Sequence, residues 1–566
     1  MALVNGTALV LLAALGVALG TGFLELGGPA KEVLTHMAGV ASGTSKEVMG
    51  AVIVGTVGLI FAARHLLRVQ NQPRFREPLN VGEDFKVVGR KTQLQLADIP
   101  TAVAEMRASF DAGLTLPLKK RMEQLKALRR MMVDNEEAIK QAVVADLGRP
   151  WGETMIYDFM LPIIEIEHTI AQLNDMTAKR PVGDFSLLSF PSSQWLQPEP
   201  YGVVLVIGTW NFPVMLSITP LLGAIAAGNT VVVKPCNVAR HTSKLQAELI
   251  SKYLDPRVVT TIGSDIDGDR HTTSALLNEK FDVVFFTGSP AVGKVVAMGA
   301  AQHLSKCILE LGGKNPVVVA ADADVEKAAK TVVWARLMNG GQQCVSPDYV
   351  LCCQEVAPQF TAACAKYCKQ MYPDAGRTPG NMGRIVGDTQ MKRLVQLLKT
   401  HGGEVVCGGE YDEAERYIAP TVVKVQRSSS LMQDEIFGPI LPVCVVKDVP
   451  EALAYIRTRP KPLSMYVYSS STRVQDECLA NTSAGGVTIN GCLFHAGHAS
   501  LPFGGVGESG QGAYHGKHTI ESFQHLKPCL SRTALPDFGL LSDPFFLYPP
   551  WTSLKIGVFR QLLKMV

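Results

Sequence analysis

The sequence predicts an α/β fold built on a doubly wound parallel sheet, and three observations carry this prediction. Short apolar runs, as in Val203–Ile207, "TVVVKP" and "FDVVFFTGS", are typical of strands buried on both faces. Helical stretches separate these runs, and one of them, residues 220–227, is closed by a Gly-Asn pair. Two of the runs also lead directly into glycine or proline turns. Such a sheet binds ligands at the carboxyl ends of its strands.

The composition excludes some classes of protein. The chain has 566 residues, of which 47% are hydrophobic and 19% are charged, with a net charge of +3. This balance excludes a nucleic-acid binder that works through a basic surface. The twelve cysteines form no C-x-x-C pair, and no cluster of His and Cys completes a zinc site. We therefore expect reduced thiols in a domain that faces the cytosol, and no metal.

The N-terminal region, residues 1–68, predicts a membrane anchor. Residues 2–24 carry no charge, and a helix of that length covers the roughly 30 Å of a bilayer core. A second uncharged run begins at residue 48, and the candidate span reaches residue 67 if Arg64 snorkels to the interface. A cleavable signal peptide and a mitochondrial presequence fit poorly, because no Lys precedes Lys31 and no Arg precedes Arg64. A hairpin buried in a core is the remaining alternative.

The distribution of cations predicts the orientation of this anchor. More cations follow the second run than lie between the two runs, so the positive-inside rule places the large C-terminal part in the cytoplasm. Which membrane is involved does not follow from the sequence. Residues 69–100 are polar and contain prolines, which is typical of a linker. From about Thr101 to Gly148, apolar residues recur at spacings of three and four, which predicts a pair of amphipathic helices.

A glycine turn at residues 288–293, "GSPAVG", is the first candidate for a binding site. With Lys294 it is nearly a P-loop, but Val295 stands where a Mg²⁺-binding Ser or Thr is required, so a nucleotide triphosphatase is excluded. The turn between a strand and a helix still offers backbone N–H groups to a phosphate. On the residues alone, a dinucleotide site and a purely structural turn both remain open.

Three further residues are candidates for catalytic roles, and each also has a purely structural interpretation. Cys344, in "NGGQQCVSPDYVLC", is a nucleophile, a buried structural thiol or half of a disulfide. Glu310, in "ILELGGKNP", is a general base with a raised pKa or a carboxylate exposed at the end of a strand. Asn211, in "GTWNFP", donates to an oxyanion or caps the next helix.

The motifs taken together resemble the aldehyde dehydrogenase superfamily, and most closely its class 3, or fatty aldehyde dehydrogenase, branch. The similarity runs from about residue 103 to 530 and includes "GTWNFP", "ELGGK", "NGGQQCVSPDYVLC", "EIFGPILP" and "LPFGGVGESGQGAYHGK" in the order of that family. The resemblance implies that the Cys344 thiolate attacks an aldehyde, that the Asn211 amide and the Cys344 N–H hold the oxyanion, and that Glu310 activates the water that cleaves the thioester.

The resemblance also implies a site for NAD, with NADP tolerated. It assigns the contacts with the cofactor to Trp210, Lys234, Asn237, Gly288, Ser289, Gly293, Glu435 and Phe437. Asn237 departs from the glutamate that is usual in this branch. A glutamate there would bind ribose hydroxyls and repel a 2′-phosphate, so the asparagine implies relaxed selectivity.

The implied domain organisation places a Rossmann-type NAD(P)-binding domain at 101–312 and an α/β catalytic domain at 313–484. A β-arm near 181–200, to which 485–530 returns, is expected to join two subunits as a homodimer. A tail follows at 531–566 and ends in a candidate amphipathic helix. The expected reaction is the NAD(P)-dependent oxidation of medium- or long-chain aliphatic aldehydes to carboxylic acids. The alternatives are a dehydrogenase that acylates coenzyme A and an inactive membrane scaffold.

Overall fold

The computed structural model describes Leu94 and residues 96–182, 192–263, 269–498, 500–532 and 548–563. The candidate membrane spans 2–24 and 48–67 and most of the predicted linker lie outside the described residues. None of the helices in these described ranges combines the length and the apolarity needed to cross a bilayer. All the described residues belong to one compact unit.

Eighteen strands occur in the described part of the chain. In chain order they are β1 (Arg180–Pro181), β2 (Ser192–Pro200), β3 (Val203–Ile207), β4 (Thr230–Lys234), β5 (Val259–Thr261), β6 (Val283–Gly288), β7 (Lys306–Leu311), β8 (Pro316–Val319), β9 (Tyr349–Cys353), β10 (Glu404–Cys407), β11 (Tyr411–Asp412), β12 (Tyr417–Ile418), β13 (Thr421–Lys424), β14 (Ile440–Val446), β15 (Ser464–Tyr468), β16 (Gly486–Ile489), β17 (Gly510–Gln511) and β18 (Gln524–Arg532).

The α-helices of the described residues lie mainly between these strands. They are α1 (Ile99–Asp111), α2 (Leu118–Asp134), α3 (Glu136–Leu147), α4 (Trp151–Thr154), α5 (Leu161–Thr177), α6 (Met215–Ala227), α7 (Arg240–Tyr253), α8 (Asp269–Asn278), α9 (Pro290–Ala301), α10 (Val325–Leu337), α11 (Ala357–Met371), α12 (Gly387–Thr400), α13 (Val449–Arg457), α14 (Thr472–Asn481), α15 (Lys517–Ser522) and α16 (Ser553–Leu563). A π-helical segment, Met155–Met160, joins α4 to α5.

A six-stranded sheet has the order β17-β7-β6-β3-β4-β5, and all its neighbours are parallel except β17 with β7. The side chains of β3 alternate between two apolar clusters. Val204 and Val206 join one cluster, while Val203, Leu205 and Ile207 join the other. Burial on both faces explains why the strand reads as an unbroken apolar run, so the predicted doubly wound sheet is confirmed.

A seven-stranded sheet follows, with the order β10-β13-β14-β9-β8-β15-β16 and only β10 antiparallel to its neighbour. The predicted domain boundary at residue 312 falls between β7 and β8. The segment expected to return to the β-arm from residue 485 first contributes β16 to this sheet. A third sheet, β1-β2-β18, is antiparallel and includes the segments near 181–200 and 524–532.

The predicted pair of helices between about Thr101 and Gly148 is wrong in number, because the structure has three helices there. Gly113, with φ of +76°, and Pro117 separate α1 from α2. Asn135, with φ of −122°, separates α2 from α3. A second difference is that α6 begins at Met215, five residues before the predicted start. The carboxylate of Asp158 accepts from the N–H groups of Val214 and Met215, a tertiary cap that no local pattern shows.

Candidate active site

The turn that precedes Cys344 depends on left-handed backbone conformations. Asn339, Gly340 and Gly341 have φ values of +53°, +61° and +76°. A Cβ atom on Gly341 would lie 2.2 Å from the carbonyl oxygen of Gly438, so only glycine allows these two loops to meet. The glycines therefore bring Cys344 close to the loop that contains "EIFGP".

The two glutamines before Cys344 fix the turn from inside. Gln342 donates to the carbonyl oxygens of Asn339 (3.1 Å) and Arg384 (2.9 Å), and its Oε1 accepts from the Val386 N–H (2.9 Å). Gln343 is 1% exposed and donates to the Ala335 carbonyl. Both side chains are therefore structural supports of the turn.

The Cys344 thiol is a free, half-buried group at the end of this turn. Burial, followed by the negative charges of Glu435 and Glu310, raises its pKa to about 12. The backbone N–H groups of Cys344 and Val345 act in the opposite direction and lower this pKa. With this pKa the sulfur carries its proton at neutral pH in the described structure.

Glu310 lies in β7, opposite Gly510 of β17. Its side chain is 3% exposed, and neither carboxylate oxygen has a hydrogen-bond partner among the described residues. Desolvation raises the pKa of Glu310 well above its usual range. The alternative of a solvent-exposed carboxylate is therefore wrong, and the negative charge of Glu310 contributes to the raised pKa of Cys344.

Asn211 follows β3 and is 3% exposed. Its Nδ2 donates to the carbonyl oxygen of Gln342 over 3.2 Å, which ties it to the turn before Cys344. Its own carbonyl accepts from Asn339 Nδ2 (2.9 Å) and from Arg149 Nη1 (3.3 Å). Asn211 makes no side-chain cap at α6, so the capping alternative fails.

A buried ion pair holds the backbone of Asn211. Arg149 and Asp158 are both fully buried and form an ion pair with each other. Because Asp158 also caps α6 through Val214 and Met215, the pair links the backbone of Asn211 to the start of that helix. The sequence analysis missed both residues, since neither stands in a recognisable motif.

The glycine turn at 288–293 connects β6 to α9. Ser289 is the N-cap of α9, and its hydroxyl accepts from the Val292 N–H over 3.4 Å. A Cβ on Gly293 would lie 2.6 Å from Leu311, so this glycine allows α9 to pack closely on β7. Gly288, at the end of β6, starts the turn.

Lys234 ends β4, next to the end of β3 in the parallel sheet, and is 1% exposed. Asn237 follows three residues later and is half-buried. Because the carboxyl ends of β3, β4 and β6 meet at one edge, Lys234, Gly288 and Asn211 come from neighbouring strand ends.

A second group of predicted residues gathers around the "EIFGP" loop. The rings of Trp210 and Phe437 contact edge to face, with centroids 5.4 Å apart. A Cβ on Gly312 would lie 2.1 Å from Glu435 Oε2, so the carboxylate packs against the end of β7. Glu435 Oε1 is buried without a hydrogen-bond partner in the described ranges. Burial, followed by repulsion from Asp348, raises the pKa of Glu435 to about 8.

Asp348 joins the nucleophile's loop to the "EIFGP" loop, and the sequence analysis gave it no role. It forms buried ion pairs with Lys314 (2.6 Å) and Arg336 (2.8 Å) and accepts from the N–H of Ile436 (3.1 Å). These cations hold the pKa of the Asp348 carboxyl below its usual value against the effect of burial. The predicted site residues thus form two connected groups, around Cys344 and at the strand ends.

The described residues contain no group of three or more His, Cys, Asp and Glu side chains arranged to hold a metal ion. All twelve cysteines lie in those residues and are free thiols. Of the alternatives that the sequence left open, a dinucleotide site at residues 288–293 and a nucleophile at Cys344 are the ones that fit this arrangement.

Comparisons with known proteins identify the family of this chain. The aldehyde dehydrogenase family matches residues 77–529. "Aldehyde dehydrogenase, dimeric NADP-preferring" from Canis lupus familiaris is 40% identical, over 80% of this chain and 98% of its own length. "Aldehyde dehydrogenase family 3 member A2" from Mus musculus is 41% identical, over 80% of this chain and 92% of its own.

A solved structure of Staphylococcus aureus AldH in a substrate-bound state is 34% identical, with a TM-score of 0.78, over 82% of this chain and 99% of its own. The predicted resemblance is confirmed. The chain therefore belongs to the aldehyde dehydrogenase family, and it is an oxidoreductase that oxidises aldehydes with NAD(P)⁺.

Proposed function

We propose that Cys344 is the nucleophile of this oxidation and that the aldehyde carbon is bound covalently to its sulfur. The observation that carries the proposal is a half-buried thiol whose pKa is raised in part by the charge of Glu310, a buried carboxylate without a hydrogen-bond partner among the described residues. Attack of the thiolate on an aldehyde gives a thiohemiacetal, and oxidation of that carbon leaves a thioester.

The oxyanion of the thiohemiacetal is held by the Cys344 N–H and the Asn211 amide. The amide has two N–H bonds, and the contact with Gln342 uses one of them, so a second donor is left for the oxyanion. A well-aimed donor of this kind typically contributes about 3 kcal/mol to lowering the barrier. The ties from Arg149 and Asn339 hold the donor in place before substrate arrives.

Glu310 acts as the base that activates water against the thioester. Because its pKa is raised, it is a stronger base than an exposed glutamate once it loses its proton. Hydrolysis releases a carboxylic acid and restores Cys344. A base placed to activate water also argues against transfer of the acyl group to coenzyme A.

The residues around Glu435 and the strand ends fit a dinucleotide. Glu435 Oε1 is buried and has no hydrogen-bond partner in the described part of the chain, as expected for a carboxylate that receives ribose hydroxyls. Trp210, Lys234, Ser289 and Phe437, with the glycine turn, would hold the rest of the cofactor. When bound, its nicotinamide supplies the acceptor for the hydride that leaves the carbon on Cys344. We assign this cofactor function to residues 101–312 and the covalent chemistry to residues 313–484.

Asn237 is the residue that we propose sets the choice between NAD⁺ and NADP⁺. An amide at this position does not repel a 2′-phosphate, and the canine relative is named as NADP-preferring. We therefore expect this enzyme to use both cofactors. Asn237→Glu should raise the KM for NADP⁺ by more than it changes the KM for NAD⁺. A wild-type KM for NADP⁺ about a thousandfold above that for NAD⁺ would contradict the assignment.

We further propose medium- or long-chain aliphatic aldehydes as substrates and a membrane as the place of action. The uncharged runs at 2–24 and 48–67 suit an anchor, with the catalytic part facing the cytoplasm. In the C-terminal segment, Trp551, Leu554 and Ile556 are exposed at 61%, 71% and 44%, which suits contact with lipid. An anchored enzyme would meet substrates that partition into the bilayer.

The three-stranded sheet is the surface that we propose for a homodimer. Strand β18 spans nine residues and pairs with β2 along one edge. Its other edge pairs with no strand within the described residues, and the canine relative is named as dimeric. The molecular mass in solution tests this proposal, and a monomer at working concentration would refute it.

The experiment that tests the function is NAD(P)H formation by the detergent-solubilised enzyme with a series of aldehydes from acetaldehyde to hexadecanal. We expect turnover to rise with chain length, to yield the acid and to vanish in Cys344→Ala. Turnover that persists in folded Cys344→Ala would refute the role of the thiol. Formation of acyl-coenzyme A in place of acid would refute the role of Glu310.

A further inference from the structure

One short segment before α5 makes three contacts around Asn211. Arg149 donates to the Asn211 carbonyl (3.3 Å), and Asp158 caps the start of α6. Glu153, in the short helix α4, makes the third contact, because its Oε2 accepts from the backbone N–H of Asn339 over 2.8 Å. The segment therefore connects the candidate oxyanion donor to the turn that precedes the nucleophile.

Asn339 carries the contact with Glu153 on to Asn211. It is fully buried, and its Nδ2 donates to the carbonyl oxygens of Asn211 (2.9 Å) and Gln342 (3.0 Å). The same Gln342 carbonyl accepts from Asn211 Nδ2 over 3.2 Å. Both the backbone and the side chain of Asn211 are thus bound at positions that depend on where Asn339 lies.

The backbone of Asn339 needs contacts that hold it. Its φ of +53° lies in the left-handed region, which costs free energy for a residue other than glycine and persists only where the surroundings fix it. The Glu153 carboxylate is one of these contacts. If that acceptor were lost, the N–H would be left unpaired inside the protein, and the turn would gain free energy by shifting.

Different side chains hold Cys344 itself. Asn315 Nδ2 donates to the Cys344 carbonyl over 2.7 Å, and the Tyr466 hydroxyl donates to the Val345 carbonyl. These two bonds do not involve Glu153. Loss of the Glu153 contact should therefore displace the oxyanion donor more than the nucleophile.

We propose that Glu153 is a positioning residue for the oxidation, whose carboxylate fixes Asn339 so that the Asn211 amide is aimed at the oxyanion. The proposal rests on the proposed role of Asn211 as an oxyanion donor and adds a residue that acts through it. Glu153 lies 186 residues before Asn339 in the chain, so no local motif could show this contact.

The test compares Glu153→Gln with Glu153→Met in the full-length enzyme, through kcat and the KM for the aldehyde. Both substitutions remove the carboxylate charge and keep an unbranched side chain, but only glutamine keeps an oxygen that accepts from the Asn339 N–H. Glu153→Met should lower kcat by about tenfold or more and change KM by less than about threefold, because the oxyanion donor acts in the transition state. Glu153→Gln should keep kcat within about threefold of the wild type.

A double-mutant cycle shows whether the effect passes through Asn211. If Glu153 acts by aiming the Asn211 amide, adding Glu153→Met to Asn211→Ala should lower kcat by less than about twofold further. The rate at which iodoacetamide alkylates Cys344 should stay within about twofold of the wild type in Glu153→Met, because the nucleophile keeps its own contacts.

Four results would overturn the proposal. They are a wild-type kcat in Glu153→Met, a kcat in Glu153→Gln as low as in Glu153→Met, an equal loss from Glu153→Met with and without the Asn211 amide, and alkylation slowed as much as kcat. If Glu153→Met does not fold, Glu153→Ala takes its place in the same comparisons. A wild-type kcat in folded Asn211→Ala would refute the proposed oxyanion role and this inference with it, whereas the four results above leave that role intact.

Discussion

Asp158→Asn removes one charge from the fully buried pair with Arg149 and leaves the shape of the side chain unchanged. The amide oxygen still accepts from the N–H groups of Val214 and Met215, which lie 2.9 Å from Asp158 Oδ1. The amide NH₂ then faces the guanidinium, so two donors meet and Arg149 loses the carboxylate with which it forms its ion pair. The substitution therefore removes the ion pair and keeps the cap of α6.

The expected loss of stability is about 3–5 kcal/mol, the range for removing one partner of a buried ion pair. A second effect follows from Arg149 Nη1, which donates to the Asn211 carbonyl over 3.3 Å. If Arg149 moves toward water, the amide of Asn211 moves with it. We expect kcat to fall more than the KM for the aldehyde changes, because the oxyanion donor acts in the transition state.

The assay is urea unfolding followed by circular dichroism, together with steady-state kinetics on the fraction that remains folded. The control is the double variant Arg149→Met/Asp158→Asn, which removes both charges and should be more stable than Asp158→Asn alone. A loss below about 1 kcal/mol in Asp158→Asn, or a double variant that is less stable than the single one, would refute the reasoning.

Three further predictions concern the reacting groups and the turn. In Glu310→Gln, a first equivalent of NAD(P)H should still form, but release of the acid should slow by about a hundredfold or more. Rapid-quench measurement would detect this difference, and steady turnover at the wild-type rate would contradict it. Glu435 has a pKa of about 8 in the folded enzyme and about 4.3 when unfolded. Between these two pH values the folded state therefore holds a proton that the unfolded state lacks. The wild type should therefore lose thermal stability relative to Glu435→Gln as the pH rises from about 5 to about 8, and a constant difference would count against the buried carboxyl. Gly341→Ala should unfold at a lower temperature than the wild type, because its Cβ would lie 2.2 Å from the Gly438 oxygen, and an unchanged melting temperature would exclude that contact.

The sequence was sufficient for the parts of the fold that depend on local pattern. The run Val203–Ile207 is apolar at every position because each face of β3 packs against a different cluster, so its bounds were predicted residue by residue. The start of α6 was not predictable in the same way. Its cap is the carboxylate of Asp158, which lies more than fifty residues earlier in the chain.

The residues of the candidate site likewise divide into those that the sequence identified and those that it did not. Cys344, Glu310 and Asn211 stand in motifs whose residue types suggest their chemistry. The sequence analysis gave no role to Asn315 and Asp348, although both lie within the motifs. An asparagine or aspartate is common in loops, and its role becomes clear only when its partners are known. Their partners come from distant strands and loops, and only packing brings them together.

The sequence by itself determined the α/β class, the family, the candidates for the reacting residues and the apolar N-terminal runs, because each depends on adjacent or regularly spaced residues. The tertiary structure alone decided that Glu310 is buried with no hydrogen-bond partner among the described residues, that Gly341 meets Gly438, and that Asn315 binds the carbonyl of Cys344. The physical reason is that desolvation and hydrogen-bond direction depend on atoms far apart in the chain, and these effects set the charge and the orientation of the reacting groups.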